Sequence, residues 1–295
     1  MITQLQQTSQ EDYVEIFFIL KDIKLLMLTS ERIRIFRILR TTWKVDVFII
    51  LTCVATYYTH EYLIAKAIAI PTMIPTLLGT ALAFFVGFNN NQAYNRWWEA
   101  RTIWGGLVND SRSWARSVLE YTTDNGHPQV EIQQIKERMI KQMIGFVYAL
   151  RDALRKNDDG YYSKFLSEKE ITAVKQQTNI PNAILSLNAK NIHRLSELGS
   201  INEFRFVQLN ELLRSFTDNM GKSERINNTV FPTSYIYFTR MFIWALVIFV
   251  TLVLADSIGV WSIVLGWVVG FVYHTSHLNG MGLMTRSKKL LPAFL

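Results

Sequence analysis

Cysteine is almost missing. Cys53 is the only one in 295 residues and lies inside an apolar run, so no intrachain disulfide is possible and no cysteine-based zinc framework is available. Motifs that carry enzyme chemistry are missing as well: there is no glycine-rich phosphate loop, no HExxH, no nucleophile elbow and no CxxC. No clustered His, Asp or Ser constellation stands near a membrane interface, which disfavours a membrane enzyme, and nothing points to a cofactor. The first 30 residues are acidic and mixed, without the basic start and apolar core of a secretory signal. The basic excess, +7 with a pI near 9.4, is not gathered into one patch, so nucleic acid is not the expected partner. Five bases, Arg32, Arg34, Arg37, Arg40 and Lys44, instead precede the first apolar run, where membrane topology accounts for them.

What the chain has in quantity is apolar sequence. Hydrophobic residues make up 49% and the mean hydropathy is +0.12, yet 19% of residues are charged, so membrane spans alternate with ordinary polar surface. Four segments read as membrane elements. The first runs from Val47 to about Leu63, with Tyr57 and Tyr58 at its far end. The second, from Ile64 to Phe88, is interrupted by Pro71 and Pro75, leaving 76–88 as a half-length helix that lines a cavity rather than facing lipid. Tyr235 to Ala255 and Ile258 to Tyr273 are the third and fourth, joined tightly at Asp256-Ser257-Ile258-Gly259 into an antiparallel hairpin. The link between the first two spans carries only Lys66 and the hairpin turn carries no base, so both termini and the middle region are expected in the cytoplasm.

The expected organisation is a cytosolic segment 1–46, spans one and two in 47–95, a cytosolic helical domain 96–230, spans three and four in 231–273, and a cytosolic tail 274–295. The middle region holds 19 Lys and Arg against 16 Asp and Glu, the balance of a folded soluble domain. Its spacing is helical: Trp104, Leu107, Val108, Ser111, Trp114, Ala115 and Val118 share one face, and Ile132, Ile135, Met139, Met143, Val147 and Leu154 another. Asn125-Gly126-His127-Pro128 separates these helices and Asn157-Asp158-Asp159-Gly160 ends the second. A third helix starts at Asn179-Ile180-Pro181, and a fourth covers about 202–219 after Gly199-Ser200. No alternating strand pattern occurs, so the fold class is all-α.

Three constellations bear on function. Thr80, Phe84 and Phe88 recur every four residues on one helix face, as packed core or as a pore wall. Downstream, the helix passes into Asn89, Asn90, Asn91 and Gln92 and then into Arg96, Trp97, Trp98, Glu99 and Arg101, a cluster suited to cation–π contacts and ion pairs. That run either anchors a helix leaving the membrane or opens a pore into a polar vestibule. Arg240, a little over one turn into the third span, is either functional or snorkels to the interface. His274 and His277, three apart, share a helix face but lack neighbouring carboxylates or thiols, so they read as interfacial histidines and no metal site is expected.

The stretch from Leu77-Leu78-Gly79 through Phe88-Asn89-Asn90 to Arg96-Trp97-Trp98-Glu99-Ala100-Arg101 resembles the second span and following helix of the bestrophin family, especially its bacterial branch. Gly221-Lys222-Ser223-Glu224-Arg225-Ile226, with Thr229 and Pro232, leads to a span containing Arg240 and is similar to that family's approach to its third span. The match extends from about Arg34 to Tyr273. The resemblance implies a multi-pass membrane protein with four membrane helices, assembled as a homopentamer in lipid, whose second spans ring a pore for small inorganic ions. It puts the family's neck on Thr80, Phe84 and Phe88, and a cytosolic aperture near Phe204, with Ile201 as the fallback. Neither ring contains a charge, so the gate it implies closes by dewetting. Eukaryotic members pass chloride and the bacterial branch includes cation conductors, which leaves the sign of the ion open. A membrane-anchored scaffold whose cytosolic helices bind a partner is the alternative.

Calcium-regulated members of that family hold the ion partly with acids just after the fourth span. Here no Asp or Glu follows Asp256, and Gly280 to Leu295 offers Arg286, Lys288 and Lys289 instead. Calcium needs carboxylate and carbonyl oxygens. Raising cytosolic calcium from nanomolar to millimolar is therefore expected to leave the current nearly unchanged. Steep, saturable activation in that titration would refute this reading of the tail.

Overall fold

The computed structural model describes residues 35–64, 70–123, 129–157, 159–229 and 233–293. Outside these lie the basic residues Arg32 and Arg34, Lys66, the Asn125-Gly126-His127-Pro128 breaker and Pro232; no side chain is described at Arg37 or in the tail from 284 onward, which includes Arg286, Lys288 and Lys289. The described residues form eight α-helices and no strand: α1 (Ile35–Thr59), α2 (Met73–Glu120), α3 (Gln129–Arg155), α4 (Glu168–Lys175), α5 (Ile180–Glu197), α6 (Glu203–Asn228), α7 (Thr233–Ile258) and α8 (Trp261–Ala293). A π-helical turn, His60–Ile64, follows α1, and a 3-10 turn, Tyr161–Phe165, precedes α4. Two compact units divide the chain, one containing 98–229 and the other 29–97 with 230–286.

In the first unit, the apolar faces expected at Trp104 to Val118 and Ile132 to Leu154 meet around one core, with Trp104, Leu107, Trp114, Val118, Ile132, Met139 and Met143 buried. Phe216 of α6 completes it, meeting Trp114 and Phe146 edge-on at 6.2 and 5.7 Å between ring centroids. The starts of α5 and α6 follow from local chemistry: Asn179 Oδ1 accepts from the Asn182 amide at 3.0 Å and Asn202 Oδ1 from the Arg205 amide at 2.9 Å, each satisfying a donor that the first turn leaves free. At α4 the Glu170 carboxylate accepts from the Ser167 amide and hydroxyl at 2.8 and 2.7 Å. Half-buried polar groups pair across the unit: Asp110 Oδ2 accepts from Ser215 Oγ at 2.6 Å and Asn219 Nδ2 at 3.0 Å, linking α2 to α6.

The second unit corrects the expected broken helix. No break interrupts α2 over its 48 residues, because Pro75 sits in the first turn, where its missing N–H has no intrahelical acceptor to lose, and Pro71 lies outside the helix. The half-length helix 76–88 is therefore the early part of a much longer one. α2 and α7 (from Ser234) are long and apolar enough to cross a membrane, with mean hydropathies of 1.3 and 2.4 over their best windows. Leu82 and Val86 of α2 pack on Ile243 and Leu246 of α7, and Ile49 and Cys53 of α1 pack on Val247.

Against α1 and α7, α8 presents Gly266 and Gly270. A Cβ at Gly270 would lie 2.8 Å from Val247 Cγ2 and 2.9 Å from Ile49 Cγ2, and one at Gly266 would collide with Thr251 and stand 3.0 Å from Cys53 Sγ. Small residues spaced by four allow such approach between helices. The turn between α7 and α8 needs Gly259, whose φ of 58° is strained for other residues. Overpacking at a tight site costs about 1–3 kcal/mol. Gly270→Ala is thus expected to lower the thermal midpoint of the purified protein, while Gly105→Ala, with open space around it, leaves the midpoint unchanged or raises it. Equal responses in differential scanning fluorimetry would refute the close-packing account.

Candidate ion pathway along the second helix

Among the described residues, the face of α2 that carries Thr80, Phe84 and Phe88 is left largely uncovered, although the Phe88 ring meets that of Tyr235 of α7 at 6.3 Å between centroids. Phe84 is 71% exposed and Phe88 46%, while the opposite face buries Leu82, Val86, Asn89 and Ala93 at 5% or less. The two rings stack at 6.5 Å with 17° between planes. Thr80 is exposed, and its hydroxyl donates to the Thr76 carbonyl at 2.9 Å, as Thr76 does to Thr72, so the backbone absorbs the polar hydrogens of the stripe. One and two turns on, Asn91 and Asn95 stand exposed on the continuation of this face. An apolar stripe thus opens into amides along one side of one helix.

Asn89 does not join those amides. It is fully buried, on the face opposite the stripe, and so is not positioned to line a vestibule. Asn90 is half-buried and its Nδ2 donates to the Ser276 carbonyl of α8 at 3.2 Å. The aromatic and charged run after it behaves as its composition suggests. Trp97 tilts against Tyr94 at 5.8 Å, the Arg101 guanidinium lies 6.0 Å from the Trp98 ring centroid, and Glu99 is ion-paired with Arg225 of α6. Arg96 is half-buried in the same run. The Glu99–Arg225 pair is well exposed, so it orients α2 on α6 more than it stabilises them.

The second candidate ring lies at the start of α6. Phe204 is 86% exposed, whereas Ile201 is 5% exposed and belongs to the core of its unit, so only Phe204 has a side chain available to line an opening. Its position is well fixed. Thr123 donates its amide and its hydroxyl to the Ser200 carbonyl at 2.9 and 3.2 Å, and Arg205 reaches the Tyr121 carbonyl at 2.6 Å, with its guanidinium 5.8 Å from the Tyr121 ring centroid.

A family model described as bacterial/fungal bestrophin protein matches residues 23–276. The chain belongs to that family. It is a bestrophin-type channel protein, not an enzyme. The voltage-dependent anion channel-forming protein of Ralstonia nicotianae is 28% identical over 216 residues, covering 72% of this chain and 69% of that protein. A protein of the same description from Escherichia coli is 30% identical over 166 residues, which span 56% of this chain and about half, 52%, of that relative. The solved bestrophin homologue of Klebsiella pneumoniae shares the fold, with a TM-score of 0.71 over 84% of this chain and 96% of that one at 18% identity.

Because Ile201 is packed and Phe204 is not, their truncations are expected to differ. Ile201→Ala should destabilise its unit by about 2–5 kcal/mol, while Phe204→Ala should change stability by no more than about 0.5 kcal/mol. Thermal melts of the purified variants check this, and comparable losses at both positions would refute the assignment.

Proposed function

We propose that the chain forms a closed ring of five copies in membrane lipid, passing small inorganic anions passively along an axis that α2 lines with Thr80, Phe84 and Phe88. The observation that carries this reading is the exposed Phe84 and Phe88 stripe opposite a buried face of the same helix. One such helix encloses nothing, and repeated heterologous contacts that close on themselves make a ring. In this reading α1, the first part of α2, α7 and the first part of α8 cross the bilayer, with both termini in the cytoplasm and 98–229 as the cytosolic body. Exposed Phe48, Leu51, Val264, Leu265, Val268 and Val272 then supply apolar surface for lipid or for a neighbouring copy.

The relatives named as anion channel-forming proteins support the sign of the ion. Uncharged phenylalanine rings suit it, since an aromatic edge is electropositive and a ring of edges can face an anion without binding it tightly. Phe204 forms the second constriction. Neither ring contains a titrating or ion-paired group, so the barrier is the cost of wetting apolar walls.

Phe84→Ala or Phe88→Ala is expected to raise conductance or open probability in liposomes while the ring mass in detergent stays the same. A reversal potential that follows chloride under a potassium chloride gradient is expected for the parent protein. Variants that unfold or dissociate at both positions would mean that the stripe packs against protein and the pathway lies elsewhere. An intact ring without flux would favour the scaffold.

A further inference from the structure

At the cytosolic border of the apolar runs, all four helices of the second unit bury a polar side chain. α1 brings Asp46, 7% exposed, whose Oδ2 accepts from the Thr42 hydroxyl at 2.6 Å. α2 brings Asn89, fully buried; α7 brings Thr239, whose hydroxyl donates to the Tyr235 carbonyl at 2.8 Å; α8 brings His274 and His277, 8% and 0% exposed. Among the described residues, Asp46 Oδ1, both side-chain atoms of Asn89, Nε2 of His274 and both ring nitrogens of His277 meet no hydrogen-bonding partner. Each such buried atom costs about 1–3 kcal/mol. The large majority of buried side-chain polar atoms have a partner, so six on three adjoining helices mark a polar layer inside the unit.

We propose that this layer is a proton-binding site, and that proton uptake at His274 and His277 from the cytosolic side opens the ion pathway. Its flux consequence rests on the channel reading; the proton site itself does not. The charged and titratable groups that act on the two imidazoles are Asp46 from α1 and Arg240 from α7, with His274 acting on His277, while Asn90 of α2 holds the Ser276 carbonyl between them. Burial pushes both imidazoles below the ordinary histidine range; Asp46 partly offsets this at His274, while Arg240 adds to it at both and His274 adds to it at His277. The packed layer therefore holds neutral rings, is favoured above the ordinary histidine range, and loses that advantage as pH falls through the depressed values. A ring that takes up a proton becomes an imidazolium, repelled by Arg240 and, once both are charged, by its neighbour, and at His274 drawn toward Asp46. That strain reaches the pathway directly. The Tyr273 hydroxyl donates to the Gly79 carbonyl at 3.0 Å and Asn90 holds the Ser276 carbonyl, so α8 is tied to α2 at both ends of the Thr80 to Phe88 stripe.

The test uses full-length protein with carbon-13 histidine, titrated by NMR in detergent, and the same protein in liposomes with the cytosolic face moved from about pH 7.5 to about 5.5. Two imidazole signals are expected to titrate below the ordinary value of about 6.5 and to disappear in His274→Gln and His277→Gln respectively. Asp46→Asn, which keeps both rings, should lower the His274 midpoint further and leave His277 nearly unmoved. Flux should rise several-fold on acidification in the parent and stay flat in the double glutamine variant. Ordinary midpoints at both histidines, unchanged or falling flux in acid, or a rise that survives in the double variant would overturn the proposal. Depressed midpoints with no flux at any pH would overturn the channel reading and the gating step while upholding the proton site.

Discussion

Close approach of α8 to α1 and α7 at Gly266 and Gly270 is the constraint on which the second unit rests. With no Cβ at either position, Ile49, Cys53, Val247 and Thr251 fill the space a side chain would need. Where the bilayer supplies little hydrophobic driving force between helices, such contact area substitutes for it. Packed in this way, α8 runs on past its apolar stretch alongside α2. There Gly280 again leaves room, this time for Asn90, since a Cβ on Gly280 would collide with the Asn90 amide. α7 and α8 together thus decide which face of α2 is covered and which is left open.

That division of α2 into a covered and an open side is what the proposed pathway rests on. Leu82, Val86, Asn89 and Ala93 belong to the covered side, Thr80, Phe84 and Phe88 to the open one. Two phenylalanines left open on a long helix need a further surface or a further role, and threonines whose hydroxyls donate to the carbonyl four residues earlier make the same strip tolerant of either. Further along the same helix lie the Trp98–Arg101 contact and the Glu99–Arg225 pair with α6.

Much of this was legible before any coordinates. Faces built from Trp104 to Val118 and from Ile132 to Leu154 show in a helical period, and Asn179 and Asn202 announce helix starts because capping is local chemistry. α4 and the 3-10 turn escaped because eight and five residues are too few to display a period. Pro75 misled because its effect depends on position: within the first turn it costs nothing that the interior would lose. Ile201 and Phe204 lie three residues apart, and sequence could not say which of them faced the core.

Asn89 and the two histidines show where such reading stops. In sequence Asn89 is one of several amides and resembles solvent-facing surface, while His274 and His277 have no acidic neighbour. Only folding brings Asp46, more than two hundred positions away, into electrostatic range of His274. Polarity at a helix end is ambiguous because the same residue types suit solvent, an interface or an enclosed site. Burial resolves it: an exposed amide is satisfied by water, but a buried one carries a desolvation cost that the rest of the protein must sustain. A layer of such residues where α2 is held by α8 is therefore the part of that contact most sensitive to a change of charge.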